Sequence, residues 1–193
     1  MKYFKCIRKD IPVLPFLTEI AGVKGAWDAS TGRQEKIAVQ REAHSIPLRG
    51  LRKSAIAGRL RRDVHESRWT TTSISFPHAR RFLEETAVFR TGLLSRAKLV
   101  RLVAGRRVYP HIDRGEYYHV RDRFHLVLKS AQGSWLRSGD EEVRMQEGEL
   151  WWFDNNQVHE AFNDGTEDRI HLIFDLLPAS RASEIFGPSE KVA

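Results

Sequence analysis

The second half of the chain is a series of short apolar segments with turn-forming residues between them. The pairs Ser138-Gly139 and Asp164-Gly165 separate several of these segments, and no helix of useful length interrupts residues 97–177. The segments are KLVRLVAG, RRVYPHID, RDRFHLVLKS, GSWLRSG, EEVRM, GELWWFD, HEAFND and RIHLIFDLL. Short strands with regular turn signals are typical of β-sandwiches and barrels. The lack of alternating helices argues against a doubly wound α/β fold.

The first half has a more helical character. We predict a short helix within residues 10–24, entered by Asp10 with Pro12 in its first turn, and a longer helix over residues 77–94. Extended segments are expected at HSIPL and at RWTTTSISF, because threonine and aromatic residues suit a pleated surface. The expected organisation is one domain over 1–193, with N-terminal helices and supporting strands (1–96) packed outside a catalytic barrel core (97–177) and a C-terminal tail (178–193).

Composition and charge restrict the class of protein. A chain of 193 residues with one cysteine, Cys6, can make no intramolecular disulfide and no cysteine metal cluster. No secretory h-region is visible, and no stretch approaches the roughly 18 apolar residues that span a bilayer. A cytoplasmic location without membrane attachment is therefore expected. The net charge of +7 is compatible with nucleic-acid binding, but the arginines are dispersed and no nucleic-acid module is visible. A solvated basic surface, or a site for small anions, is the favoured interpretation.

One set of residues has the composition of a metal site. In an extended segment His111 and Asp113 point to the same face, so that their side chains can converge on one ion. His159 follows 46 positions beyond Asp113, and a barrel-like closure would bring it close. Two histidines and one carboxylate leave open coordination positions, as non-haem Fe(II) oxygenases require. Taken alone, the His-x-Asp pair favours a surface turn, because a chain with 8 histidines and 25 acidic residues contains such pairs readily by chance.

Cationic residues alternate along two later segments. In RDRFH, the residues Arg121, Arg123 and His125 share one face, which would be costly inside a barrel unless anions met them. Arginine can bind a carboxylate through two parallel hydrogen bonds, so a dicarboxylate would suit this face. Arg169, ten positions after His159, could hold the far carboxylate. The alternatives are an exposed edge strand and, for Arg169, a surface ion pair with Glu167 or Asp168.

In combination, HID, RDRFHLVL, GELWWFDNNQVHEAFN and RIHLIFD resemble the aspartyl/asparaginyl β-hydroxylases, a family of Fe(II)- and 2-oxoglutarate-dependent oxygenases. The resemblance covers about residues 97–177. It implies a mainly β, double-stranded β-helix (jelly-roll or cupin) barrel that uses Fe(II), 2-oxoglutarate and O2. Carried over to this chain, it implies iron ligation by His111, Asp113 and His159. It also implies that the keto-acid end of 2-oxoglutarate lies beside Arg123 and His125 and that its distal carboxylate binds Arg169. Arg121 would then lie near an acidic substrate. The hydroxyl that assists the distal carboxylate in some members has no match here, since the aligned position falls near Val100.

The resemblance favours an aspartyl or asparaginyl residue of a peptide or protein as the substrate. Arg49, in the segment HSIPLRG, is a further candidate for contacting it, and Asp154 is a candidate for orienting His159. Two alternatives stay open: a hydroxylase of a free amino acid such as proline, and a non-catalytic cupin that binds a metal or a carboxylate.

Overall fold

The computed structural model describes residues 1–29, 37–51 and 65–186. Within these ranges every assigned strand pair is antiparallel. The strands are β1 (Phe4–Arg8), β2 (Ala43–Gly50), β3 (Arg68–Trp69), β4 (Gly92–Leu102), β5 (Arg106–His111), β6 (Asp122–Lys129), β7 (Ser134–Ser138), β8 (Glu141–Val143), β9 (Leu150–Phe153), β10 (His159–Asn163) and β11 (Arg169–Pro178). The α-helices are α1 (Leu14–Gly22), α2 (Pro77–Phe89), α3 (Glu116–His119) and α4 (Ala179–Phe186). Two 3-10 turns occupy Ala38–Gln40 and Thr72–Ser75.

The strands form two sheets that face each other. The larger sheet has the order β1-β9-β6-β11-β4-β2-β3, and the smaller has the order β5-β10-β7-β8. Apolar side chains of both sheets meet in one buried cluster, which includes Val100, Val127 and Phe153 from the larger sheet and Leu136 and Ala161 from the smaller. This two-sheet antiparallel architecture confirms the predicted mainly β jelly roll.

The outer face of the larger sheet is covered by helices. Phe124 and Leu172 alternate outward from β6 and β11 into a second core, where Phe16 of α1 and Leu83 of α2 pack on them. Because successive residues of a strand point to opposite faces, the residues between these apolar ones point inward, toward the smaller sheet. The inner face of β6 and β11 therefore receives the three predicted cosubstrate residues, Arg123, His125 and Arg169.

The helices in the first half differ from the prediction at their ends. Helix α1 begins at Leu14 with Pro15 in its first turn, so the predicted role of Pro12 there is wrong. Helix α2 ends at Phe89, since Thr91 has a φ of 48° and Gly92 starts β4. The apolar residues after this turn therefore pair with the end of β11 and do not continue the helical stripe.

The predicted extended segment RWTTTSISF is a strand only at Arg68–Trp69. Beyond it, the backbone N–H of Ser73 donates to the Thr70 hydroxyl, and the Ser73 hydroxyl donates to the Thr70 carbonyl. Such local hydrogen bonds offer the backbone an alternative to a strand ladder, and here they accompany a 3-10 turn.

The first 96 residues supply β1, β2 and β3 to the larger sheet, so this sheet draws on both halves of the chain. Among the described residues no helix combines the length and the apolar character needed to span a bilayer.

Candidate active site

Two histidines and one aspartate meet where the smaller sheet opens. His111 ends β5 and His159 begins β10, and the antiparallel register places these two residues opposite each other. Their ring centroids lie 4.2 Å apart. Asp113 follows two residues after His111, with Oδ1 4.0 Å from His111 Nε2 and Oδ2 3.9 Å from His159 Nε2. One ligand atom from each of the three residues lies within 4.8 Å of the others, so the structure brings the predicted metal-binding set together.

Backbone carbonyls determine which ring nitrogen each histidine presents. His111 Nδ1 lies 2.7 Å from the Tyr109 carbonyl oxygen, and His159 Nδ1 lies 3.0 Å from that of Gln157. A carbonyl can only accept, so each Nδ1 carries a proton, and each Nε2 faces Asp113. Burial and the neighbouring His111 lower the pKa of His159 to about 4, so this imidazole is neutral. Neutral imidazoles held in this way are the form that ligates metals.

The expectation that Asp154 orients His159 is wrong. The acceptor for His159 is the Gln157 carbonyl, while the Asp154 carboxylate accepts from Asn156 and from the Gln157 side chain.

Asp113 is buried and ionised. Burial by itself raises its pKa, but the Arg123 guanidinium, His159 and a hydrogen bond from Asn155 together bring that pKa below its ordinary value. Asn155 Nδ2 donates to Asp113 Oδ2 over 3.2 Å, and Arg123 Nη1 donates to the same oxygen. The sequence analysis missed Asn155, because an asparagine in a turn between strands carries no distinctive signal.

Arg123 lies between two carboxylates. Its Nε and Nη2 donate to Asp175 Oδ1 and Oδ2 over 2.8 and 3.1 Å, while Nη1 reaches Asp113. Asp175 also accepts a hydrogen bond from the Tyr117 hydroxyl over 3.0 Å. The sequence analysis missed Asp175 and Tyr117. Asp175 follows Arg169, His171 and Ile173 on the inward face of β11, so its place in the alternation was a usable signal.

A cavity extends from the histidines along the inner face of the larger sheet. It is lined by His111, His159, Arg123, His125 and Arg169, with apolar walls from Val100, Val108, Leu136, Phe153, Ala161 and Ile173. Lys98 and Gln40 also line it and were missed in the sequence analysis. The predicted cosubstrate residues therefore share one cavity with both histidines of the metal-binding set.

Arg169 has no anionic partner among the residues that the structure describes. It is buried, and its Nη2 has no hydrogen-bond partner there. Burial alone lowers its pKa to about 10. The two acids proposed as surface partners are engaged elsewhere, because Asp168 pairs with Arg101 and Glu167 pairs with Lys129. A buried guanidinium without a counter-charge is the kind of group that an anionic ligand would satisfy.

Arg121 and Arg49 line a different cleft, with a volume of about 550 Å³. Arg121 is buried there and donates to the Ser95 hydroxyl over 2.8 Å and to the Tyr117 carbonyl over 3.0 Å. Arg49 donates from Nε to the Leu94 carbonyl, with its guanidinium 5.3 Å from the centre of the Trp69 ring. Tyr117 lies between this cleft and the metal-binding set, since its hydroxyl bonds to Asp175 while its carbonyl bonds to Arg121.

A jelly roll of this kind, with two histidines and an ionised carboxylate brought together and a cationic cavity beside them, has the fold and the site of the 2-oxoglutarate-dependent non-haem iron oxygenases. Comparison with known sequences makes the assignment more specific. The chain belongs to the aspartyl/asparaginyl β-hydroxylase family, whose sequence model matches residues 59–178. It is an Fe(II)- and 2-oxoglutarate-dependent hydroxylase. No curated protein sequence matches it.

Solved structures share the fold over most of the chain. AviO1 from Streptomyces viridochromogenes Tue57 is 12% identical with a TM-score of 0.53, covering 92% of this chain and 90% of its own. The viral collagen prolyl hydroxylase of Paramecium bursaria Chlorella virus 1, in its 2-oxoglutarate complex, is 11% identical with a TM-score of 0.51, covering 92% and 97%. The nickel complex of the non-haem monooxygenase ThoJ is 13% identical with a TM-score of 0.52, covering 91% and 73%. At these identities the likeness establishes the fold alone.

Proposed function

We propose that this protein hydroxylates a C–H bond of an aspartyl or asparaginyl residue in a peptide or protein, with iron held by His111, Asp113 and His159. The observation that carries the proposal is the shared cavity. The two histidines open onto the space that also contains Arg169, whose guanidinium has no anionic partner among the residues that the structure describes. A divalent cation and a dianion would together satisfy these groups.

The residues of the cavity suit the two ends of 2-oxoglutarate. Arg169, buried at the start of β11, would hold the distal carboxylate. Arg123 and His125 would lie beside the keto-acid end, where Asp175 keeps the Arg123 guanidinium in place through two hydrogen bonds. The apolar walls exclude water, which strengthens each of these ionic contacts. The bound iron and cosubstrate supply the oxidising chemistry: 2-oxoglutarate, O2 and a C–H bond give succinate, carbon dioxide and an alcohol.

The cleft that contains Arg49 and Arg121 is the proposed place for the substrate. The Arg49 guanidinium is suited to an acidic side chain or to the backbone carbonyls of a peptide, and Trp69 offers an aromatic face beside it. Arg121 is buried and bonded to Ser95, His65 and Tyr117, so it would contribute positive charge near the substrate. The Tyr117 backbone and side chain connect this cleft with the Asp175–Arg123 pair. An acidic target residue would be compatible with the positive net charge of the protein.

The test is succinate formation from 2-oxoglutarate by the Fe(II)-loaded protein, with peptides that contain Asp or Asn, with prolyl peptides and with free amino acids. We expect an Asp or Asn peptide to stimulate succinate formation, and mass spectrometry to show a gain of one oxygen in that peptide. Asp113→Ala should abolish both signals. Asp140→Ala, a matched change in an exposed turn, should retain them.

Other outcomes would change the proposal in a defined way. Stimulation by proline or a prolyl peptide alone would replace the Asp/Asn substrate with the free amino-acid or prolyl alternative. Iron and 2-oxoglutarate binding without succinate formation, across the whole panel, would favour a non-catalytic cupin and refute the enzymatic proposal.

A further inference from the structure

Two buried histidines face each other behind the cavity. His125 of β6 and His171 of β11 have their Nδ1 atoms 3.2 Å apart, and their exposed fractions are 4% and 1%. Burial, followed by the charge of Arg169, holds the pKa of each imidazole well below its ordinary value. Both rings are therefore neutral, and each carries a single N–H. One of the two Nδ1 atoms must then donate and the other must accept.

His125 presents its other ring nitrogen to the cavity. Its Nδ1 is engaged by His171 and its side chain lines the cavity, which leaves Nε2 for a ligand. Within the described residues no hydrogen bond to this Nε2 is formed. A keto acid or a carboxylate offers only acceptor oxygens, so a favourable contact requires that His125 Nε2 carries the proton. His125 Nδ1 must then accept, and His171 Nδ1 must donate to it.

The partner-free nitrogen of His171 supports the same assignment. His171 Nε2 is buried and has no hydrogen-bond partner among the described residues. If His171 donates from Nδ1, its Nε2 is unprotonated and carries only a lone pair. In the opposite arrangement it would be a buried N–H without an acceptor, which is the rarer defect in native proteins. The opposite arrangement would also turn the His125 Nε2 lone pair toward the ligand oxygens.

From this geometry we infer that His171 is a positioning residue: it fixes His125 in the tautomer that donates from Nε2 into the cosubstrate cavity. The inference rests on the proposed function only in taking a keto acid or carboxylate as the ligand of this cavity. It gives His171 a role through His125, without contact to iron, cosubstrate or substrate.

Nitrogen-15 NMR of the histidine-labelled, Zn(II)-loaded protein tests the inference directly, before and after 2-oxoglutarate is added. The signals are assigned from the spectra of His125→Leu and His171→Leu. We expect protonated Nε2 and bare Nδ1 on His125, with protonated Nδ1 on His171, in both spectra. A His125 protonated on Nδ1, either alone or together with Nε2, overturns the inference.

A double-mutant cycle provides a second readout, the affinity of the Zn(II)-loaded protein for 2-oxoglutarate by calorimetry. His171→Leu should weaken binding roughly fivefold, the size of one net hydrogen bond. Because His171 acts through His125, the same change should cause no further loss in a His125→Leu background. His171→Asn, which keeps an amide donor near the Nδ1 position, should recover part of the loss. His44→Leu, on a strand outside the cavity lining, is the matched control and should bind normally.

If His171→Leu weakened 2-oxoglutarate binding equally in the otherwise unchanged protein and in the His125→Leu variant, His171 would have a merely structural role and the inference would be refuted. This failure is distinguishable from failure of the proposed function. The NMR result reports the tautomer whether or not the iron-loaded enzyme forms succinate, and succinate formation tests the enzyme whatever the tautomer is.

Discussion

Replacing Arg169 by methionine should have opposite effects on cosubstrate binding and on stability. Methionine is unbranched and fills a similar buried space, but it removes the guanidinium that has no described counter-charge. Without cosubstrate, the buried charge is a cost to the folded state. In the presence of 2-oxoglutarate, the same charge becomes the proposed partner of the distal carboxylate.

The magnitude of the stability effect follows from the pKa of Arg169. Burial lowers this pKa from 12.5 to about 10. A difference of this size corresponds to about 3 kcal/mol of destabilisation of the charged form in the fold. At neutral pH the side chain is charged in both the folded and the unfolded chain, so the whole cost is present. It declines progressively as the pH rises from the folded pKa of about 10 toward the ordinary value of 12.5. Because lost packing offsets part of the gain, we expect Arg169→Met to raise the free energy of unfolding by about 1–3 kcal/mol.

The effect of Arg169→Met on 2-oxoglutarate binding should be larger than its effect on stability and of opposite sign. Removing one partner of a buried ion pair costs about 3–5 kcal/mol, which predicts a loss of 2-oxoglutarate affinity of roughly 150- to 5000-fold. Urea unfolding of the cosubstrate-free protein and calorimetric titration with 2-oxoglutarate measure the two quantities. Arg81→Met removes an exposed arginine of α2, on the outer side of the larger sheet, and it should leave the affinity unchanged. A methionine variant that loses stability and binds 2-oxoglutarate normally would refute both the burial argument and the proposed contact.

Three further predictions concern the metal-binding set, the cleft and the core. Asp175→Asn should weaken Zn(II) binding by roughly 10–100-fold in a metal titration, because Arg123 would lose the anion that holds it beside Asp113. An unchanged affinity for Zn(II) would show that Asp175 does not support the metal-binding set through Arg123. Arg49→Ala should raise the KM for the peptide substrate without altering that for 2-oxoglutarate, and a change confined to 2-oxoglutarate would remove the cleft from the proposal. Leu126→Ala, in the core under the helices, should lower the free energy of unfolding by about 2–5 kcal/mol in urea, and a negligible loss would contradict its close packing.

The local pattern of the sequence was sufficient for the fold class and the facing of key side chains. A period of two along RDRFH and RIHLIFD predicts that apolar and polar residues occupy opposite faces, and Phe124 and Leu172 do lie in the outer core while Arg123, His125 and Arg169 line the cavity. The mainly β fold was predictable because turn signals and strand segments are short-range features, and the family was predicted from the resemblance of the motifs HID, RDRFHLVL, GELWWFDNNQVHEAFN and RIHLIFD. The helix end at Phe89 was not, because apolar residues just beyond it fit either a helical stripe or a strand.

Only the tertiary structure decided which distant residues meet. The register between β5 and β10 places His159 opposite His111, and the ion pairs that Asp168 and Glu167 form with other residues leave Arg169 without either acid as a partner. The pairing of Asp175 with Arg123, and of His171 with His125, likewise joins two separate strands. The fold also assigns Arg121 and Arg49 to a cleft of their own. Each of these outcomes depends on long-range strand pairing and on competition among charged partners, and neither leaves a periodic signal in the sequence.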